Sequence, residues 1–94
     1  MDLSAFQDLM ARTYGERDTE RGRNATLAWL AEEVGELARA VRKGQPDQQL
    51  HELGDVLAWL ASLANQLGLW LEDAAARYAR GCPVCGSIPC ACPP

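Results

Sequence analysis

The chain has 94 residues, enough for one small domain and too few for two. Hydrophobic residues at 48% and charged residues at 23% match a globular protein and exclude a disordered or collagen-like chain. Nine Lys and Arg against 13 Asp and Glu leave a net charge of -4, which lacks the basic surface that a phosphate backbone requires, so no nucleic acid partner is expected.

The opening residues MDLSAFQDLM carry neither a basic leader nor a long apolar run. No stretch reaches the ~18 apolar residues of a spanning helix, so no membrane contact and a cytoplasmic location are expected. Strand signals are absent and the chain reads as all-α: four helices over residues 1–80, then a short Cys-rich C-terminal tail over residues 81–94. The stop signals are Gly15, Gly44, Gly68 and Gly81.

A first helix is expected from Ser4 to Tyr14, with Ser4 and Gln7 as a capping box and Phe6, Leu9, Met10 and Thr13 on one face. The polar run GERDTERGRN then reads as solvated loop, ending at Asn24 or Thr26 as a cap. The second helix carries an apolar stripe of Leu27, Leu30, Val34, Leu37 and Val41, with Trp29, Glu33, Glu36 and Ala40 beside it. After Gly44 and Pro46 the third helix repeats that layout. Its apolar stripe is Leu50, Leu53, Leu57, Leu60, Ala64 and Leu67, and Glu52, Asp55 and Trp59 lie alongside. Packing the two stripes together in an antiparallel hairpin would set the acidic edges face to face. A weaker fourth helix is expected from Trp70 to Arg80, although Trp70 stands where a polar cap belongs. So thin a core and three Trp residues lead us to expect at least a dimer.

The acids EEVGE at 32–36 and ELGD at 52–55 give the pairs Glu33 with Glu36 and Glu52 with Asp55, each at i, i+3, which sets two carboxylates side by side on a helix. Taken singly, each pair is better explained by a solvated charged face. Together they border an apolar stripe, and Arg39, Arg42 and Lys43 are too few and ill placed to pair all five of Glu32, Glu33, Glu36, Glu52 and Asp55. Oxygen donors on two facing helices suit a hard cation such as Mg²⁺, which keeps open positions for phosphate. His51 lies about 100° round the helix from Glu52 and reads as solvated or capping.

EExxE followed after fifteen residues by ExxD, within WLAEEVGELARAV and ELGDVLAWLASLANQLG, resembles the MazG family of nucleoside triphosphate pyrophosphohydrolases over residues 24–80. The resemblance implies an all-α, MazG-like four-helix bundle completed by dimerisation, as a homodimer or homotetramer. It also implies Mg²⁺-dependent, or Mn²⁺-dependent, hydrolysis of an NTP or dNTP to the monophosphate and pyrophosphate, a house-cleaning activity. Carried over by position, Glu33, Glu36, Glu52 and Asp55 become the magnesium ligands, and Glu32 lies near the attacking water as a further ligand or base. Positive groups should complete the triphosphate site. Arg17, Arg21, Arg23, Arg77 and Arg80 are the candidates, of which Arg77 and Arg80 fall where the family often places basic residues. Asn65 is a further candidate nucleotide contact. Trp29 and Trp59 lie one turn from Glu33 and Asp55, where an indole packs in the core or stacks on a base. The competing reading is a non-catalytic helical module that binds metal or nucleotide without turnover.

In the tail, Cys82, Cys85, Cys90 and Cys92 form CxxC, four residues, then CxC, enough thiolates for one tetrahedral zinc. Disulfide or redox pairing and an unmetallated tail are the alternatives. With four sulfur ligands such a zinc would be structural.

Overall fold

The computed structural model describes all 94 residues and contains four helices and no strand. They are α1 (Leu3–Arg21), α2 (Arg23–Lys43), α3 (Pro46–Leu67) and α4 (Leu71–Ala76). α2 and α3 pack most extensively, α1 lies chiefly on α3, and α4 touches α1. None of these helices is long and apolar enough to cross a membrane.

The second and third helices end as expected. Gly44 and Gly68 adopt left-handed backbone at φ 66° and 69°, and their N–H groups return to carbonyls of the last turn. The first helix departs from expectation. It runs seven residues past Tyr14 through Gly15 and the Arg-rich run, and it breaks only at Gly22, whose φ of 84° suits glycine. The N-cap is Asp2, whose carboxylate accepts from the Ala5 N–H at 2.7 Å, so the expected Ser4–Gln7 capping box does not form. α2 accordingly begins at Arg23, before both expected caps, and Thr26 is wholly buried inside it.

Gln7 does a different job. It is buried, and its Nε2 donates to Asn65 Oδ1 at 3.0 Å and to the Leu69 carbonyl at 2.8 Å, while its Oε1 accepts from the Leu71 N–H at 2.8 Å. This explains how α4 starts without a polar residue at Trp70: the capping acceptor comes from α1. The regular helix then spans only Leu71–Ala76, with turns from Arg77 to Arg80, so the fourth helix is shorter than expected.

The apolar stripes also depart from expectation. The residues of α2 withdrawn from solvent include Thr26, Leu30, Glu33, Leu37 and Ala40, a face rotated slightly from the expected one. Leu27, Val34 and Val41, spaced seven apart, stay about half exposed; on α3, Leu53, Leu57, Leu60 and Leu67 are also exposed and Leu50 is mostly so. The expected burial of these leucines against one another therefore does not occur within the chain. Glu33, Glu52 and Asp55 are partly withdrawn from solvent instead, Glu36 stays exposed, and the only buried apolar side chains are Ala40, Ala61 and Ala64. A radius of gyration of 15.5 Å, against about 13 Å for a compact chain of this length, reflects the same uncovered surface.

Candidate active site

The acids converge where the α2–α3 hairpin brings its inner faces together. Glu33 has its pKa raised above the ordinary 4.5, first because burial disfavours its charge, then because Asp55, Glu52 and Glu36 crowd it with negative charge. The Oε2 atom of Glu52 is buried with no partner. A buried carboxylate oxygen without a donor, beside three more carboxylates, lacks a positive charge. Glu36, Glu52 and Asp55 thus lie near enough to Glu33 for their charges to act on it; Glu33, Glu52 and Asp55 are half-buried and Glu36 is exposed. Glu32 is exposed on the same turn of α2.

His51 belongs to this cluster. Its Nε2 lies 3.3 Å from Asp55 Oδ2, and ligand atoms of His51, Glu52 and Asp55 all fall within 4.8 Å of one another. Its i, i+4 relation to Asp55, across one turn of α3, is the signal that its offset from Glu52 concealed.

Two pockets flank the acids. One, of about 290 Å³, is lined by Tyr14, Arg17, Asp18, Arg21, Ser62 and, from the acidic side, Asp55 and Trp59. The other, of about 230 Å³, includes Glu36 and Glu52 together with Arg39 and Lys43. The first pocket exists because α1 continues past Gly15. That extension carries Arg17, Asp18 and Arg21 alongside α3, next to Tyr14, and Gln66 Nε2 donates to the Asp18 carbonyl to hold it there. Met10, Tyr14, Arg17 and Arg21 repeat at steps of 4, 3 and 4, a helical signal that the charge of the segment obscured.

Arg21 has two partners in this pocket. Its guanidinium lies 4.7 Å from the Trp59 ring centre and its NH1 is 2.8 Å from Asp18 Oδ1. Trp59 in turn stacks on Trp29, with centroids 5.9 Å apart and planes 13° from parallel. Trp29 remains 46% exposed, so the pair forms an aromatic wall reaching solvent beside the carboxylates. Arg77 and Arg80 line neither pocket, and Arg77 lies over Tyr78 instead. The Asn65 amide is engaged at both ends with Gln7, its Nδ2 donating to the Gln7 carbonyl at 3.2 Å.

The four cysteines of the tail are free thiols whose sulfurs all lie within 4.8 Å of one another. The N–H groups of Ala91 and Ser87 lower the Cys85 thiol to about 6, while the neighbouring sulfurs of Cys90, Cys82 and Cys85 push Cys92 up to about 11.

Comparison with known proteins agrees with this geometry. Residues 21–80 match the MazG nucleotide pyrophosphohydrolase domain, a span that holds Glu32, Glu33, Glu36, Glu52 and Asp55 and stops short of the cysteines. The chain is 36% identical over 90 residues to the uncharacterized protein YvdC of Bacillus subtilis (strain 168), covering 78% of this chain and 85% of that protein. The chain belongs to the MazG nucleotide pyrophosphohydrolase family.

Proposed function

From this membership, we propose that the protein hydrolyses a nucleoside triphosphate, NTP or dNTP, to the monophosphate and pyrophosphate in a Mg²⁺-dependent reaction that Mn²⁺ also supports. The observation that carries the proposal is the convergence of Glu33, Glu36, Glu52 and Asp55, with Glu52 Oε2 buried and unpaired between two pockets. These four would hold the ion, since all are oxygen donors and a bound cation would relieve their mutual repulsion. Magnesium, when bound, would supply charge neutralisation for the triphosphate and a more acidic water.

The protein's own groups have separable roles. Glu32, exposed beside the cluster, would take the proton from the water that attacks the α-phosphorus, as the P–O bond to pyrophosphate breaks. Trp59, stacked on Trp29, offers a surface for the base, and Arg17 and Arg21 bring positive charge to the same pocket. Asn65 would act by fixing α1 to α3, and Arg77 and Arg80 would contribute only on approach of substrate or of a second chain. A second copy would cover Leu27, Val34 and Val41 on α2 and the exposed leucines of α3, as a homodimer or homotetramer. Any zinc held by all four cysteines would be structural and take no part in the reaction. A reducing cytoplasm would keep those thiols free.

The test is pyrophosphate release by purified protein with Mg²⁺ or Mn²⁺ across a panel of NTPs and dNTPs, with Glu36→Gln as control. Pyrophosphate and monophosphate in equal amounts, lost in the variant, are expected. Absence of turnover with every nucleotide in a folded, helical protein would turn the reading to a non-catalytic metal- or nucleotide-binding module.

A further inference from the structure

The tail has the dimensions of a metal site and almost none of the features of a self-supporting fold. Val84 and Ile88, its two large apolar residues, are 79% and 81% exposed, so nothing apolar holds residues 81–94 together. Yet the backbone is specifically turned. The Cys82 N–H donates to the Ser87 carbonyl at 3.1 Å and the Gly86 N–H to the Cys82 carbonyl at 2.7 Å, closing a tight loop around CPVCG. Gly86 sits at φ 71°. Gly81, at φ 103°, has no room for a side chain, because a Cβ there would meet Ile88 Cγ1 at 2.4 Å and the Ser87 carbonyl oxygen at 2.8 Å.

The sulfurs are arranged with the same economy. Cys82 Sγ is 3.7 Å from Cys92 Sγ and Cys85 Sγ is 4.0 Å from Cys90 Sγ. Four thiolates at ~2.3 Å from a central zinc in a tetrahedron would stand about 3.8 Å apart. Backbone donors already point at two of them: the Ala91 N–H at Cys85 Sγ, 3.3 Å, and the Cys92 N–H at Cys90 Sγ, 3.4 Å. Amides aimed at sulfur offset the net negative charge of a four-thiolate centre and orient its ligands.

We propose that Cys82, Cys85, Cys90 and Cys92 bind one structural Zn²⁺ per chain, in a closed knuckle that lies outside the MazG domain and depends on the metal for its shape. The inference rests on the tail alone and stands or falls independently of nucleotide hydrolysis. All four coordination positions are taken by protein, so the ion offers no place for water or substrate. The binding energy of zinc would take the part that an apolar core plays in a larger domain.

The experiment is metal analysis of the full chain, purified without chelator, together with Cys85→Ser and Cys90→Ser. One zinc per chain is expected in the parent protein and at least about a tenfold lower content in either variant. A second readout, independent of the folding of any variant, uses the unaltered chain: exchange of zinc for Co²⁺ should give the sulfur-to-metal charge-transfer and intense ligand-field bands of tetrahedral thiolate coordination. A chain that carries disulfides, one whose four thiols stay free in excess zinc, or one that takes up iron in place of zinc would overturn the proposal.

Discussion

The carboxylate cluster and the cysteine tail each gather four side chains able to ligate a metal, but they do so by opposite means. Glu33, Glu36, Glu52 and Asp55 come from two helices of 21 and 22 residues that meet through a Gly44–Pro46 turn. The scaffold assembles them against their own repulsion, and the raised pKa of Glu33 records the cost. The cysteines lie within eleven residues that have no apolar interior, and only glycine turns and amide-to-sulfur bonds shape them. One site is imposed by a fold; at the other the metal would supply the fold.

The largest expected effects separate the two. Glu36→Gln should lower nucleotide turnover by at least about a hundredfold and leave zinc content untouched, while Cys85→Ser should lose zinc and keep turnover near the parent level. Parallel metal analysis and pyrophosphate assays on both variants check this, and a Cys85→Ser protein that retains zinc but loses turnover would merge the two regions into one.

Next is Arg21, the cation that links Trp59 to the buried Asp18. Arg21→Ala should destabilise the protein by about 3 kcal/mol, because Asp18 is then left buried and unpaired. Adding Asp18→Asn should recover much of that loss, and denaturant unfolding of the single and double variants measures it. The nucleotide KM of the double variant should remain raised if Arg21 also contacts substrate.

The Glu33 shift predicts a pH dependence specific to the acidic site. In the folded chain Glu33 keeps its proton above the ordinary 4.5, where the unfolded chain has lost it. Metal-free stability should therefore fall as pH rises from 4.5 through the raised value, and saturating Mg²⁺ should flatten the fall by stabilising the carboxylate form. Thermal melts with chelator and with Mg²⁺ across that range are the check. The smallest effect is expected at Gly15, in mid-helix with open space where a Cβ would go. Gly15→Ala should add about 0.5–1 kcal/mol in the same unfolding measurement.

Much of this organisation was legible in the sequence, and the failures have physical causes. The C-terminal ends of α2 and α3 were readable because a 3.6-residue period meets a left-handed glycine at each, at Gly44 and Gly68, whereas α2 starts at Arg23, ahead of the expected caps Asn24 and Thr26. The acids were readable because i, i+3 pairs on two adjacent helices have few ways to avoid each other. The extension of α1 was hidden because helix propensity and solvated loops share the same charged residues, and Gly15 looked like a stop while open space and packing on α3 carry the helix past it. Gln7 could not be recognised as the cap of α4, since that partnership joins residues more than sixty positions apart. The leucine stripes show a further limit. Periodicity announces that Leu27, Val34 and Val41 share a face, but it does not say whether their own chain covers it.

The most direct test of the central claim is hydrolysis of a nucleoside triphosphate in water labelled with heavy oxygen, with the products separated by mass. If water attacks the α-phosphorus beside the four carboxylates, Mg²⁺-dependent label is found in the monophosphate and the pyrophosphate is unlabelled. Label in pyrophosphate, or release of orthophosphate in its place, would contradict the proposal.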